Sequence, residues 1–109
     1  MVREVFSHRA SLQPPGVRGL IAKTDAHTPA AVGVVYQIGD VAVLNWIATV
    51  PGFRRRGLGS ILTARLTNAA LADGARLVAL NASHSGASVY ERLGYQTYGS
   101  TRWWCPPAR

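Results

Sequence analysis

The stretch from Val41 to Gly74 changes its hydrophobic period in mid-course, and that change constrains the fold more than any other feature. "VAVLNWIATV" (41–50) is apolar on both alternating faces. A strand covered on both sides reads this way, so it is expected at the centre of a sheet. Its polar exceptions, Asn45 and Thr49, fall on one face with Val41, Val43 and Ile47. Pro51 ends the strand, because proline cannot donate to a ladder. From Leu58 the period is helical: Leu58, Ile61, Leu62, Leu66 and Ala69 make one stripe, with Thr63, Thr67 and Asn68 off it. Asp73-Gly74 is the stop signal. A buried strand feeding an amphipathic helix demands a layered fold with helix on sheet.

The rest of the chain supplies that sheet. "VRGLIAKT" (17–24) and "AAVGVVYQI" (30–38) read as strands, and "DAHTP" (25–29) as the turn between them. Gly39-Asp40 stands at hairpin spacing before Val41. "RLVALNA" (76–82) is a further strand after the helix, joined through "SHSG" to a short helix, "ASVYERL" (87–93), which Gly94 closes. "YQTYG" and "TRWWC" are expected as two last short strands. Residues 1–16 are weakly patterned, and the prolines of "SLQPPG" forbid a long helix there. The expectation is a poorly patterned segment over 1–16 and one α/β domain over 17–109, with a largely antiparallel start and one crossover.

The 109 residues suit one domain, and 48% of them are hydrophobic, enough for one core. A single cysteine, Cys105, excludes an intrachain disulfide. With no signal-peptide pattern and no apolar run near the ~20 residues that span a bilayer, a reducing cytoplasm is the expected home. The net charge of +7 favours an anionic partner without choosing one. Arginine outnumbers lysine eleven to one, a skew that fits coding bias as well as binding.

"GFRRRGLGS" (52–60) links strand to helix. The first N–H groups of a helix lack partners, and the helix dipole adds positive potential there. Glycines at 57 and 59 let an anion approach the backbone, and Arg54, Arg55 and Arg56 add charge. The bland alternative is turn chemistry with three solvated arginines.

"VPGFRRRGLGSIL" resembles the acyl-CoA-binding segment of the Gcn5-related N-acetyltransferases, the GNAT superfamily, whose pattern Arg/Gln-x-x-Gly-x-Gly/Ala is met by Arg54, Gly57 and Gly59. "LNASHSGASVYERLGYQTYG" (80–99) resembles the family's second signature, Tyr-Glu-x-x-Gly-aromatic, at Tyr90 to Tyr95. The resemblance covers about residues 17–104 and implies a GNAT-like mixed, mostly antiparallel sheet. It implies an N-acetyltransferase moving an acetyl group from acetyl-CoA to a primary amine by direct attack, through a tetrahedral intermediate. Backbone at Ala48 and Thr49 would then pair with the pantetheine arm, and an N–H near Thr49 could hold the oxyanion. Arg54, Arg55, Arg56, Gly57, Leu58, Gly59 and Ser60 would hold the pyrophosphate. Tyr90 would be the general acid toward the departing thiolate.

The chain departs from the family at three places. Ser83 stands where many members have an asparagine that helps hold the cofactor. Asn45 stands on the strand where many place a glutamate base; it cannot take a proton at neutral pH, but it could orient a water or the acceptor. His84 is an alternative base, or an ordinary exposed loop residue. Members also usually carry two helices between their first and second strands, which wall the acceptor site. Only about sixteen residues precede the strand at Val17, so the acceptor side is either open or completed by a second copy or a partner domain. Trp103 and Trp104 are candidates for such an interface. Two other classes compete: a CoA-binding regulatory module without turnover, and a basic nucleic-acid-binding domain. The last ranks low, because the long helix carries a single arginine, Arg65.

Overall fold

The computed structural model describes residues 2–8, 16–83, 86–102 and 104–107, the first of these by backbone alone. Its strands are β1 (Val2–His8), β2 (Val17–Thr24), β3 (Pro29–Ile38), β4 (Val41–Thr49) and β5 (Leu77–Leu80). Its helices are α1 (Leu58–Ala72) and α2 (Ala87–Arg92). The strands lie in the sheet in chain order. The first four are antiparallel neighbours, and β5 returns parallel to β4 through the α1 crossover. The fold is therefore mixed α/β with a mostly antiparallel sheet. No helix among the described residues is long and apolar enough to cross a membrane.

One face of the sheet meets α1. Leu20, Ala22, Ala31, Val35, Ala42 and Leu44 pack there against Leu58, Leu62, Leu66 and Ala70. Leu62 and Leu66 are wholly buried, worth roughly 1.5–3 kcal/mol each in transfer free energy. Gly33 lets the helix lie close, since a Cβ there would come within 2.8 Å of Leu66 Cδ1 and 3.3 Å of Ile47 Cγ1. At its far end α1 is tied to the sheet by the Gln37 side-chain amide, which donates to the Asp73 carbonyl at 3.2 Å. Arg18 and Asp73 add a 2.8 Å ion pair, partly exposed and therefore weak.

Five expectations need correction. Val2–His8 is a strand, paired antiparallel with β2 from Val2↔Thr24 to His8↔Gly19, although its sequence shows little alternation; the neighbouring edge supplies the pairing that pattern alone does not announce. β4 is not central: β3 is, and the face of β4 away from α1 leaves Val41 and Trp46 exposed. Its two apolar faces therefore do not mean two covered faces. The β4 alternation also breaks. Val34 pairs with Asn45 and Val32 with Ala48, two steps on β3 against three on β4. The extra residue makes a bulge, with Trp46 at φ 58. Beyond it the parity reverses, so Ile47 joins the core instead of sharing a face with Asn45. The α1 stripe is rotated: Thr63 and Ala70 are buried, and Ile61 is exposed. Thr63 tolerates burial because its hydroxyl donates to the Gly59 carbonyl at 2.7 Å. Finally, no strand forms among the described residues after α2. Trp104 is 87% exposed there, while Trp103 lies outside the described residues.

Candidate functional site

The site is built where β4 leaves β5. The two strands pair only from Val41↔Leu77 to Leu44↔Leu80. β5 then ends, while β4 runs on to Thr49 along β3. The edge of β4 over Asn45–Thr49 is thus left without a strand partner on the β5 side. Asn45 stands at the fork, half-buried, on the face away from α1 with its partner Val34. Ala48 is exposed and Thr49 half-buried further along the free edge.

The chain then makes a short 3₁₀ turn, Pro51–Phe53, and reverses into α1. Gly57 is the N-cap in the left-handed region, φ 75 and ψ 14, with no side-chain cap. The first helical bond runs from the Ile61 N–H to the Gly57 carbonyl at 3.0 Å. The N–H groups of Leu58, Gly59 and Ser60 therefore point outward without partners among the described residues. No acidic residue sits in that first turn, and a Cβ at Gly57 or Gly59 would meet nothing within 4 Å. The result is an open cradle of N–H donors at the positive end of a 15-residue helix.

The three arginines are in three different states, all of them exposed. Arg54 folds back, its Nε donating to the Thr49 carbonyl at 3.3 Å, so it braces the strand end that the free edge continues from. Arg56 lies over the Phe53 ring, 5.3 Å from its centroid. Arg55 holds a left-handed backbone at φ 65.

Tyr90 is on α2, beyond the end of β5. Its ring meets Tyr95 edge to face, with centroids 6.4 Å apart and planes at 70°. Burial raises the Tyr90 hydroxyl above the ordinary tyrosine value, and Tyr95 adds to the rise. Burial likewise raises Tyr95. Ser83 is exposed in the β5–α2 connection, where its carbonyl accepts from the Gly86 N–H at 3.0 Å. His84 lies outside the described residues. No hydrogen bond joins Asn45 to Tyr90, or Tyr90 to the arginine loop, among the described residues.

Sequence reasoning passed over three residues that shape this site. Trp46, at the bulge beside Asn45, is 72% exposed, and nothing in the alternation marks it. Thr67 reads as a polar residue off the helix stripe. Tyr95 is visible in the motif, where its place directly after Gly94 is the available signal for a structural role.

A GNAT acetyltransferase domain model matches residues 15–97, and the chain belongs to that family. No curated protein sequence matches it. Among solved structures, it is similar to glucosamine-6-phosphate N-acetyltransferase from Arabidopsis thaliana, with a TM-score of 0.77, 17% identity, and 83% of this chain aligned to 67% of that one. The aminoglycoside N-acetyltransferase AAC(6')-Iy, in complex with CoA, aligns at a TM-score of 0.70 and 20% identity, over 89% of this chain and 71% of that one. A predicted acetyltransferase from Clostridium acetobutylicum, with acetyl-CoA, aligns at a TM-score of 0.68 and 21% identity, over 85% and 64%. These likenesses concern the fold.

Proposed function

We propose that this protein transfers an acetyl group from acetyl-CoA to a primary amine, by direct attack of the amine on the thioester through a tetrahedral intermediate. One observation carries the reading: the free edge of β4 and the uncapped N-terminus of α1 meet at one loop. The N–H groups of Leu58, Gly59 and Ser60, with the neighbouring arginines, suit a diphosphate. The edge of β4 beyond the end of β5, at Ala48 and Thr49, suits the amides of an extended pantetheine arm, which would lie on it as an added strand once Arg54 releases the Thr49 carbonyl. An N–H of that edge, near Thr49, is the oxyanion donor of this scheme.

Asn45, at the fork, orients the incoming amine or a water that takes its proton. Tyr90 gives its proton to sulfur as the C–S bond breaks. The raised Tyr90 value keeps the hydroxyl protonated through neutral pH. Donation from a tyrosine near 10 to a thiolate near 8.5 is uphill by about 2 kcal/mol in reference values. The hydroxyl therefore assists while charge is still building on sulfur.

A second reading has an observation of its own. The fork carries an amide where a carboxylate base would serve, and the sheet face beside it, at Val32, Tyr36 and Trp46, is exposed. Both suit a CoA-binding module that turns over only with a partner domain or a second copy.

Calorimetric titration with acetyl-CoA, CoA as comparison, followed by an amine screen monitored for released thiol, separates the two. Micromolar binding with turnover supports the enzyme. Binding without turnover supports the module. No binding at millimolar cofactor overturns both. A homodimer belongs to the same proposal, and a monomer in sedimentation that still acetylates an amine would remove it.

A further inference from the structure

The acid-bearing helix α2 is six residues long and buries no side chain completely. A helix of that length has no stability of its own, so something else must hold Tyr90 in place. Part of the hold is its C-terminal cap. Gly94 takes φ 100, its N–H donates to the Glu91 carbonyl at 3.0 Å, and the Tyr95 N–H donates to the Tyr90 carbonyl at 3.1 Å. This is the Schellman pattern, in which the residue after the glycine turns back onto the residue five before it. That return is what lays the Tyr95 ring against the Tyr90 ring.

The other part lies on α1. The Tyr95 hydroxyl is 2.6 Å from Thr67 Oγ1, and Thr67 Oγ1 is 2.7 Å from the Thr63 carbonyl. A carbonyl only accepts, so the single Thr67 proton goes to Thr63, and Tyr95 must be the donor to Thr67. One turn earlier the Thr63 hydroxyl donates to the Gly59 carbonyl at 2.7 Å. Thr63 and Thr67 thus each bond the carbonyl one turn back along α1, and Thr67 also takes the Tyr95 hydroxyl, whose ring meets Tyr90. The Tyr95 proton is committed, whereas the Tyr90 hydroxyl has no hydrogen-bond partner among the described residues.

We propose that Tyr95 is a positioning residue that clamps Tyr90 to α1 through Thr67, so that the general acid and the phosphate cradle move as one body. This rests on the reading of Tyr90 as the acid. It explains why a tyrosine, and not merely an aromatic ring, follows Gly94. It also assigns Thr67 a use that its place off the apolar stripe does not suggest. Tyr95 raises the Tyr90 value, which gives the clamp a spectroscopic signature.

The experiment uses the full chain labelled with ¹³Cζ-tyrosine and saturated with CoA, titrated by NMR, alongside rates with the amine found in the screen. Tyr95→Phe keeps the ring and removes the hydroxyl. It should lower the Tyr90 midpoint, since the opposing phenolate is gone, and lower kcat on the order of tenfold, with CoA affinity within about twofold of wild type. Thr67→Val should lower kcat similarly, and Thr67→Ser should recover most of it. If Tyr90→Phe costs kcat while Tyr95→Phe leaves both the midpoint and kcat unchanged, the clamp is wrong and the acid stands. If Tyr90→Phe costs nothing, the acid assignment falls and the clamp falls with it.

Discussion

The two helices at the fork are built on different principles. α1 has 15 residues and a buried stripe from Leu58 to Ala70, so packing against the sheet holds it wherever its first turn points. Its uncapped N-terminus can be left open because the core meets the cost. α2 has six residues and no buried one; a glycine cap and one hydroxyl pair hold it. The lesson is a division of labour in rigidity. The proposed cofactor cradle sits on the packed element, and the proposed acid sits on a short element joined to it, among the described residues, by one hydroxyl pair. Changes to α1 should therefore appear in stability or in cofactor binding, and changes around α2 in turnover.

The largest test of that division is Gly59→Trp. Its side chain would fill the open space over the cradle, so CoA affinity should fall beyond calorimetric detection while the melting temperature changes little. A variant that still binds would move the cofactor site off α1. Tyr90→Phe should reduce kcat by about 10²-fold or more, the usual scale for a general acid, with acetyl-CoA affinity held. A loss confined to KM would break the comparison from the α2 side. Leu66→Ala, in the middle of the buried α1 stripe, should cost about 2–5 kcal/mol in chemical denaturation; a cost under 1 kcal/mol would show that α1 does not depend on its stripe. Gly94→Ala should cost about 1 kcal/mol, because alanine resists the left-handed conformation, and should lower kcat more than its stability loss explains.

The smallest effect is in pH. The folded value of Tyr90 is raised, so the folded state holds the proton more tightly than the unfolded chain. Its contribution to stability is full below the ordinary tyrosine value and declines as pH rises from there through the folded value. The alkaline limb of kcat should accordingly lie above 10, the ordinary value. A limb below it would point to another acid.

The strands from Val17 to Thr49, the α1 boundaries and the short second helix were legible because each rests on a local signal. Alternation, a proline stop, a change of period and two glycines are all properties of neighbouring residues. The cradle was legible for the same reason: a strand, a glycine loop and a helix start are contiguous in the chain. The two motifs at Arg54–Gly59 and Tyr90–Tyr95 pointed to the family that the domain match over residues 15–97 shows.

What local pattern could not decide was anything that depends on a neighbour far along the chain. The bulge at Trp46 arises in the pairing of β4 with β3, and it moves Ile47 to the other face. The strand at Val2–His8 exists because β2 offers an edge. Thr67 and Tyr95 are 28 residues apart, and no periodicity links them. The sequence by itself determined the elements between Val17 and Arg92 and the open start of α1, since those need only short-range sterics and burial periodicity. Only the tertiary structure decided which faces are covered, where the strands part and which hydroxyls meet, because those follow from register and helix placement that no single segment encodes.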